Sequence, residues 1–266
     1  MNVADKLTSM FSLEGKVVLI TGAGGAIGSV LTKGMADVGA SMVLADVNDA
    51  GMKAVEDSIV ADGGQAISVH TDLMSLDSIK SCVQQAIDHF GKIDVLVNCA
   101  GINKREGCLT ADEESFDKII GINLKGVHFM SQEVAKHMVK AKSGSIINIA
   151  SYNAVMMLGG CGIYGASKSG VAALTRAQAI EWAKHGIRSN AILPGHISTA
   201  LTAPLWNDPY RSKFLLDRIA MARPGTPEDL LGMTILLASD ASSYMSGMMY
   251  PVDGGCLAGG QPWDIC

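Results

Sequence analysis

The chain has 266 residues, of which 48% are hydrophobic and 18% charged, with 30 glycines, and this excludes a disordered, collagenous or low-complexity protein. A chain of this length hides roughly 70–75% of the surface its unfolded form exposes, so its core needs no disulfide or structural metal. The net charge is −5, from 21 basic and 26 acidic residues, and the basic residues are scattered rather than in runs, which argues against a nucleic-acid partner.

The first residues, MNVADKLTSMF, lack the basic and then apolar order of a secretory signal, and no stretch approaches the roughly 18 apolar residues of a membrane span. The expectation is a soluble cytoplasmic protein without a membrane partner. In chain order, β-branched runs bounded by glycine or polar residues predict seven strands: KVVLITG (16–22), SMVLAD (41–46), AISVHTD (66–72), IDVLVNCAG (93–101), GSIINIAS (144–151), IRSNAILPG (187–195) and MMYPVDGG (248–255). Their apolar residues run together instead of alternating. That predicts strands buried on both faces of a mostly parallel sheet between two helical layers, an α/β doubly wound sandwich. Between strands, Thr110 with Glu113 predicts a capping box, and Thr226-Pro227-Glu228-Asp229 supplies a cap, a first-turn proline and first-turn acids. No linker, composition break or repeat divides the chain, so one domain is expected over residues 1–266, with its core at about 13–255. The stretch from Gly195 to about Ala222 reads as a long insertion able to cover a site.

Six cysteines (82, 99, 108, 161, 256 and 266) form no C-x-x-C, and free thiols are expected. Six histidines, at 70, 89, 128, 137, 185 and 196, lack the close spacing of a transition-metal site, so no catalytic metal is expected.

The first predicted strand runs straight into TGAGGAIG and then a helical stretch, which puts Gly22, Gly24, Gly25 and Gly28 where strand turns into helix. Bare backbone there lets a pyrophosphate approach, and the helix N-terminus offers it unpaired N–H groups and partial positive charge. The G-x-G-x-x-G spacing is not met, and a turn without a ligand is the other reading of these glycines. Asp46 closes the second strand, placed to accept hydrogen bonds from both ribose hydroxyls of a dinucleotide and to repel a 2′-phosphate. With no Arg or Lys between Gly22 and Gly28, this favours NAD over NADP; a helix N-cap is the alternative role for Asp46.

Tyr164 and Lys168 stand four apart in a stretch that reads as a helix, so they share a face. A nearby cation favours the phenolate and lets the phenol exchange a proton with an alcohol. Ser151 ends the fifth predicted strand, and strand C-terminal ends are where open α/β sheets build their sites. A hydroxyl there can hold a substrate oxygen beside Tyr164.

Together, TGAGGAIG, Asp72, NCAG (98–101), Asn123, Ser151, Tyr164, Lys168 and Pro194-Gly195 resemble the short-chain dehydrogenase/reductase family, in order and spacing, from about Leu13 to Gly255. The resemblance implies a Rossmann-like fold. It implies Tyr164 as general acid/base, Lys168 as a nicotinamide-ribose ligand that lowers the tyrosine pKa, Ser151 as substrate orienter and Asn123 in a water-borne proton relay. It further implies a dinucleotide held by Gly22, Gly24, Gly25, Ala26, Ile27, Gly28, Asp46, Asp72, Leu73, Asn98, Ala100, Gly101, Pro194 and Gly195, with Ile197 and Thr199 at the carboxamide. Two departures stand out: the family usually has glycine at Ala26, and NNAG where this chain has Cys99.

Within that family, GINKREG (101–107), PGHISTALTAPL (194–205), NDP (207–209), RPGTPEDL (223–230) and DGGCLAGGQPW (253–263) are similar to sugar-acid and polyol dehydrogenases such as gluconate 5-dehydrogenase and 2-deoxygluconate 3-dehydrogenase. The expected substrate is therefore a sugar acid or polyol. Arg105 is either a two-pronged grip on a substrate carboxylate or a solvated arginine between Lys104 and Glu106. Asn153, Met157 and His196 are further pocket candidates by their neighbourhood to Ser151 and the Pro-Gly turn. Competing functions are a keto reductase of acyl-carrier thioesters or hydroxysteroids and a non-catalytic nucleotide sensor. The resemblance also implies a homotetramer, and Trp263 in the glycine-rich tail either packs on another subunit or frays.

Overall fold

The computed structural model describes residues 2–200 and 202–261. Trp263 and Cys266, and with them the two readings of the tail, lie outside the described residues. Seven strands, β1 (Val17–Thr21), β2 (Ser41–Asp46), β3 (Ala66–His70), β4 (Val95–Asn98), β5 (Gly144–Ile149), β6 (Ile187–Pro194) and β7 (Met249–Val252), form one parallel sheet in the order β3-β2-β1-β4-β5-β6-β7. The helices are α1 (Val3–Phe11), α2 (Ala26–Asp37), α3 (Asp49–Ala61), α4 (Leu76–Phe90), α5 (Glu113–Ile120), α6 (Val127–Ala141), α7 (Gly162–Trp182), α8 (Ala203–Trp206), α9 (Pro209–Leu216) and α10 (Leu231–Ala238). This is a Rossmann-like α/β fold.

Period-2 geometry sorts each strand's side chains between two cores. In β1, Val18 and Ile20 pack with Leu31 and Met35 of α2 and Leu237 of α10, while Val17 and Leu19 face Ile79 and Val83 of α4 and Met130 and Val134 of α6. Every residue of β1 and β4 is buried, as uninterrupted apolar runs require of a strand covered on both sides. The chain adds β2 and β3 on one side of β1 and then crosses to β4 on the other. The strand order reverses between β1 and β4, and the crevice beyond their C-terminal ends is where doubly wound sheets bind ligands.

Two local expectations are corrected. The Thr110/Glu113 capping box does not form. Asp112 caps α5 instead, its carboxylate accepting from Ser115 N at 2.7 Å, while the Thr110 hydroxyl donates to Gly107 O inside the preceding turn. The reach decides it: a carboxylate one residue before the helix meets the N3 amide directly. The stretch from Gly195 to Ala222 is not a bare loop, since it carries α8 and α9, the latter capped by Asp208. The Thr226/Asp229 box is present and opens a short 3₁₀ turn (Pro227–Leu230) that leads into α10.

Between α5 and α6 the helix widens into a π-helical turn, Gly121–Gly126, which holds Asn123. Such turns are uncommon and concentrate at functional sites.

Candidate active site

At the crevice the glycines have physical work to do. Gly22 adopts φ +72°, and a Cβ on it would stand 2.8 Å from the Ala100 backbone; a Cβ on Gly28 would overlap the carbonyl oxygen of Gly22. The first turn therefore presses bare backbone against β4 and the start of α2, which opens at Gly25 with no side-chain cap. Thr21 Oγ1 fixes the other wall by accepting from Cys99 N (3.1 Å) and Ala100 N (3.2 Å). Asp46 is not a helix cap, a role Asn48 takes by accepting from Gly51 N. Its carboxylate accepts from Gly24 N at 2.9 Å and Asn48 N at 3.0 Å, which ties the glycine turn to the end of β2.

These residues line a cavity of ≈ 360 Å³ that includes Gly22, Gly25, Ala26, Ile27, Gly28, Asp46, Asp72, Leu73, Ala100, Gly101 and Thr199. An uncapped helix N-terminus, a turn that tolerates no Cβ at Gly22 or Gly28, and a carboxylate at the end of β2 fit a dinucleotide. Ala26 is exposed in this cavity at the first position of α2, so its methyl stands where approach to the helix N-terminus is closest.

A second cavity of ≈ 230 Å³ shares Ile27, Cys99, Gly101, Ile102 and Thr199 with the first and contains Ser151, Tyr164, Lys168, Arg105, Asn153, Pro194, Gly195, His196 and Ile197. Tyr164 and Lys168 lie one turn apart on α7, with the ammonium 5.8 Å from the phenol ring centroid. Lys168 Nζ donates to Ile149 O at 2.7 Å, at the end of β5, and is buried. Ser151 Oγ accepts from Asn153 N at 3.1 Å, which leaves its own proton to donate.

Burial governs the electrostatics. It pushes the Lys168 ammonium down to about 8. It also raises the Tyr164 phenol above its ordinary value, against the opposing hydrogen bond from Ser151 and the field of Arg105. In the protein by itself the phenol therefore stands, on balance, above its ordinary value. Desolvation outweighs the opposing contributions of Ser151 and Arg105. At neutral pH the pair is an ammonium beside a protonated phenol. His196 is pushed down to about 4 by burial, then by the positive fields of Arg105 and Arg218, and stays neutral. Burial pushes the Cys99 thiol up to about 12, so it remains protonated.

Four expected site residues lie outside both cavities; one is Gly24, whose amide is turned to the Asp46 carboxylate. Asn98 points into the protein, donating to Ser131 Oγ and Asn148 Oδ1 between β4, β5 and α6. Asn123 is fully buried: its amide donates to Ile102 O (2.8 Å) and Ser167 Oγ (3.1 Å) and its carbonyl accepts from Ile102 N (2.9 Å), so it braces the chain beside Gly101. Met157 is half exposed and lies over Gly165, outside the pocket, because the turn before Cys161 carries it across the first turn of α7.

Other pocket residues were not visible in the sequence. Tyr152 is buried against the His196 ring (centroids 4.8 Å apart), and Trp206 of α8 meets the same ring edge-on at 6.3 Å. Cys161 and Asn103 also line the wall. The adjacency of Tyr152 to Ser151 was a usable signal; that of Trp206 was not, since it depends on α8 folding back. Among the described residues no cluster of three metal-ligating side chains occurs and no helix is long and apolar enough to cross a membrane.

Comparison with known proteins agrees with this geometry. A family model described as enoyl-(acyl carrier protein) reductase matches residues 22–256. The chain belongs to the short-chain dehydrogenase/reductase family. It is 42% identical over 255 residues, 95% of this chain and 99% of the relative, to a 2-dehydro-3-deoxy-D-gluconate 5-dehydrogenase of Escherichia coli (strain K12). It is 37% identical over 244 residues, 92% of this chain and 98% of the relative, to a 3-oxoacyl-(acyl-carrier-protein) reductase of Chlamydia pneumoniae. A crystal structure of a gluconate 5-dehydrogenase from Burkholderia cenocepacia J2315 in complex with NADP and tartrate superposes with a TM-score of 0.91 at 32% identity, covering 95% of this chain and 99% of that one. This short-chain dehydrogenase/reductase is an oxidoreductase of CH–OH groups that uses a nicotinamide dinucleotide.

Proposed function

We propose that this enzyme interconverts a secondary alcohol and a ketone on a sugar acid or polyol, with NAD(H) as its dinucleotide. The observation that carries the substrate class is Arg105. Its guanidinium lines the same cavity as Ser151 and Tyr164, and it forms no salt bridge among the described residues. The nearby carboxylates are taken: Lys104 pairs with Glu106 (2.5 Å) and Asp112 (3.1 Å). A guanidinium that gives one N–H to the Cys161 sulphur and has no ion-pair partner among the described residues keeps N–H groups to grip a carboxylate with two parallel hydrogen bonds and place one carbinol near Tyr164. The relative crystallised with tartrate, itself a hydroxy acid, supports this reading.

The dinucleotide, held along Gly22–Gly28, Asp46 and Gly101, supplies hydride exchange when bound. The protein's own part is the proton. Ser151 turns its hydroxyl hydrogen to the substrate oxygen, and Tyr164 takes the carbinol proton as its phenolate form in oxidation or, as the neutral phenol, gives it back in reduction. Lys168, charged below about pH 8 and anchored on Ile149 O, stabilises negative charge as it develops on the phenol oxygen. The buried Tyr152 ring and the half-buried Trp206 ring limit water around these groups.

Asp46 supports NAD over NADP, since its carboxylate would meet a 2′-phosphate with like charge. The NADP in the Burkholderia cenocepacia relative favours the other choice for that protein. A second reading, reduction of a ketone on an acyl-carrier thioester, is favoured by the relative from Chlamydia pneumoniae and by the apolar Leu158, Leu205 and Leu215 in the cavity wall. The experiment is initial rates with NAD and NADP, or their reduced forms, against aldonates, ketoaldonates, uronates, neutral polyols and a 3-oxoacyl thioester. The proposal expects turnover of sugar acids or polyols with NAD(H) preferred. Exclusive activity on the thioester with NADPH would replace it.

A further inference from the structure

Cys161 stands immediately before α7, three residues ahead of Tyr164. Its side chain is almost fully buried, at 1% exposure, yet it forms part of the substrate cavity wall. Two donors from another loop converge on its sulphur: Arg105 Nη1 at 3.6 Å and Asn103 Nδ2 at 3.7 Å. Backbone pairing runs beside them, with Glu106 N donating to Gly160 O at 3.0 Å and a parallel bridge between Glu106 and Cys161. The loop that carries Arg105 is therefore fastened at the residue from which the Tyr164 helix starts.

The chemistry of the acceptor matters. A thiol sulphur is a weak, polarisable acceptor, able to orient an N–H group without cancelling a cation's charge. A carboxylate in its place would neutralise Arg105, and a methyl group would leave it to swing into solvent, where the arginine is already exposed. Asn103, turned by the same sulphur, keeps its Oδ1 buried and without a partner in the cavity wall, an acceptor open to a hydroxyl of the same ligand.

We propose that Cys161 is a positioning residue for substrate specificity, which sets the distance between the Arg105 guanidinium and Tyr164 and thereby selects substrates with a carboxylate at a fixed reach from the reacting carbinol. This rests on the sugar-acid reading of the site. The test compares kcat and KM for a sugar acid such as gluconate and for a neutral polyol such as sorbitol in the wild type, Cys161→Ala, Cys161→Ser and Arg105→Ala, with melting temperature as the folding control. Loss of a weak thiol acceptor, worth about as much as one ordinary hydrogen bond, predicts that Cys161→Ala raises KM for the acid about 5–10-fold, with kcat within about twofold and the polyol KM unchanged. Cys161→Ser, which restores an acceptor, recovers most of that loss. Should alanine loosen the core, Cys161→Val keeps the volume without the acceptor and shows the same selective KM rise. A folded Cys161→Ala enzyme with unchanged acid KM, or with both KM values raised together, overturns the inference. If Arg105→Ala alone abolishes the preference for the acid, only the role of Cys161 is lost. If the wild type has no such preference, the sugar-acid reading falls and this inference with it.

Discussion

Replacing Lys168 with methionine isolates the electrostatic part of the proposed chemistry. The ammonium stands 5.8 Å from the Tyr164 ring centroid. At an effective dielectric of about 20, a unit charge at that distance contributes about 3 kcal/mol to the phenolate, or about 2 pKa units. Below about pH 8, where Lys168 is charged, that help is present in the wild type; above it, the amine loses its proton and the help fades. Lys168→Met is therefore expected to oxidise its alcohol about 100-fold more slowly at pH 7, with the rise of kcat displaced about 2 pH units upward. Stability changes little. Removing a buried cation whose pKa is pushed down to about 8 relieves about 3 kcal/mol, and leaving the Ile149 carbonyl without its partner costs about 1–3 kcal/mol. The assay is kcat against pH from 6 to 10, with dinucleotide binding measured by fluorescence quenching in parallel. A variant whose pH profile overlays the wild type, or whose whole defect is weaker dinucleotide binding, refutes the reasoning.

Ala26→Gly removes a methyl exposed at the start of α2, and dinucleotide binding should tighten about threefold by equilibrium titration, with weaker binding counting against a crowded phosphate site. Asp46→Asn keeps an acceptor for Gly24 N but removes the charge; the ratio of kcat/KM for NAD over NADP should fall about 10-fold or more, and an unmoved ratio would show that Asp46 does not choose the dinucleotide. His196 gives a stability signature. Its folded pKa of about 4 lies below the unfolded value of about 6.5, so the unfolded chain binds the extra proton between them, and stability is lost as pH falls from about 6.5 to 4 by at most about 3 kcal/mol. Denaturant unfolding of His196→Gln should show a flatter dependence over that window, and an unchanged slope would mean the ring is not desolvated.

The sheet was legible because its signal is local and redundant: runs such as Val17-Val18-Leu19-Ile20 can only be strands buried on both faces, and all seven appeared where the runs lie. Boundaries slipped where a side chain rather than the backbone decides, as when Asp112 displaced the Thr110 cap. The Ser151, Tyr164 and Lys168 cluster was legible because two members share a helix turn and the third follows β5 by two residues at the crevice, capping a short 3₁₀ turn rather than ending the strand. What was hidden depended on distant folding. Asn123 needs the π-helical turn to aim it at Ile102, Trp206 needs α8 to fold over His196, and Cys161 meets Arg105 only because two loops pair. Pairing at four residues reveals the neighbour of Tyr164 but not the depth of burial, which raises the phenol above its ordinary value.

The most direct test of the account is Tyr164→Phe, measured for dinucleotide binding and for turnover of the best sugar-acid or polyol substrate. Dinucleotide affinity within about threefold of wild type, with turnover reduced at least about 100-fold, is the expected result for loss of a general acid/base in an otherwise intact pocket. A variant that turns over near the wild-type rate would contradict the assignment of the proton to this phenol.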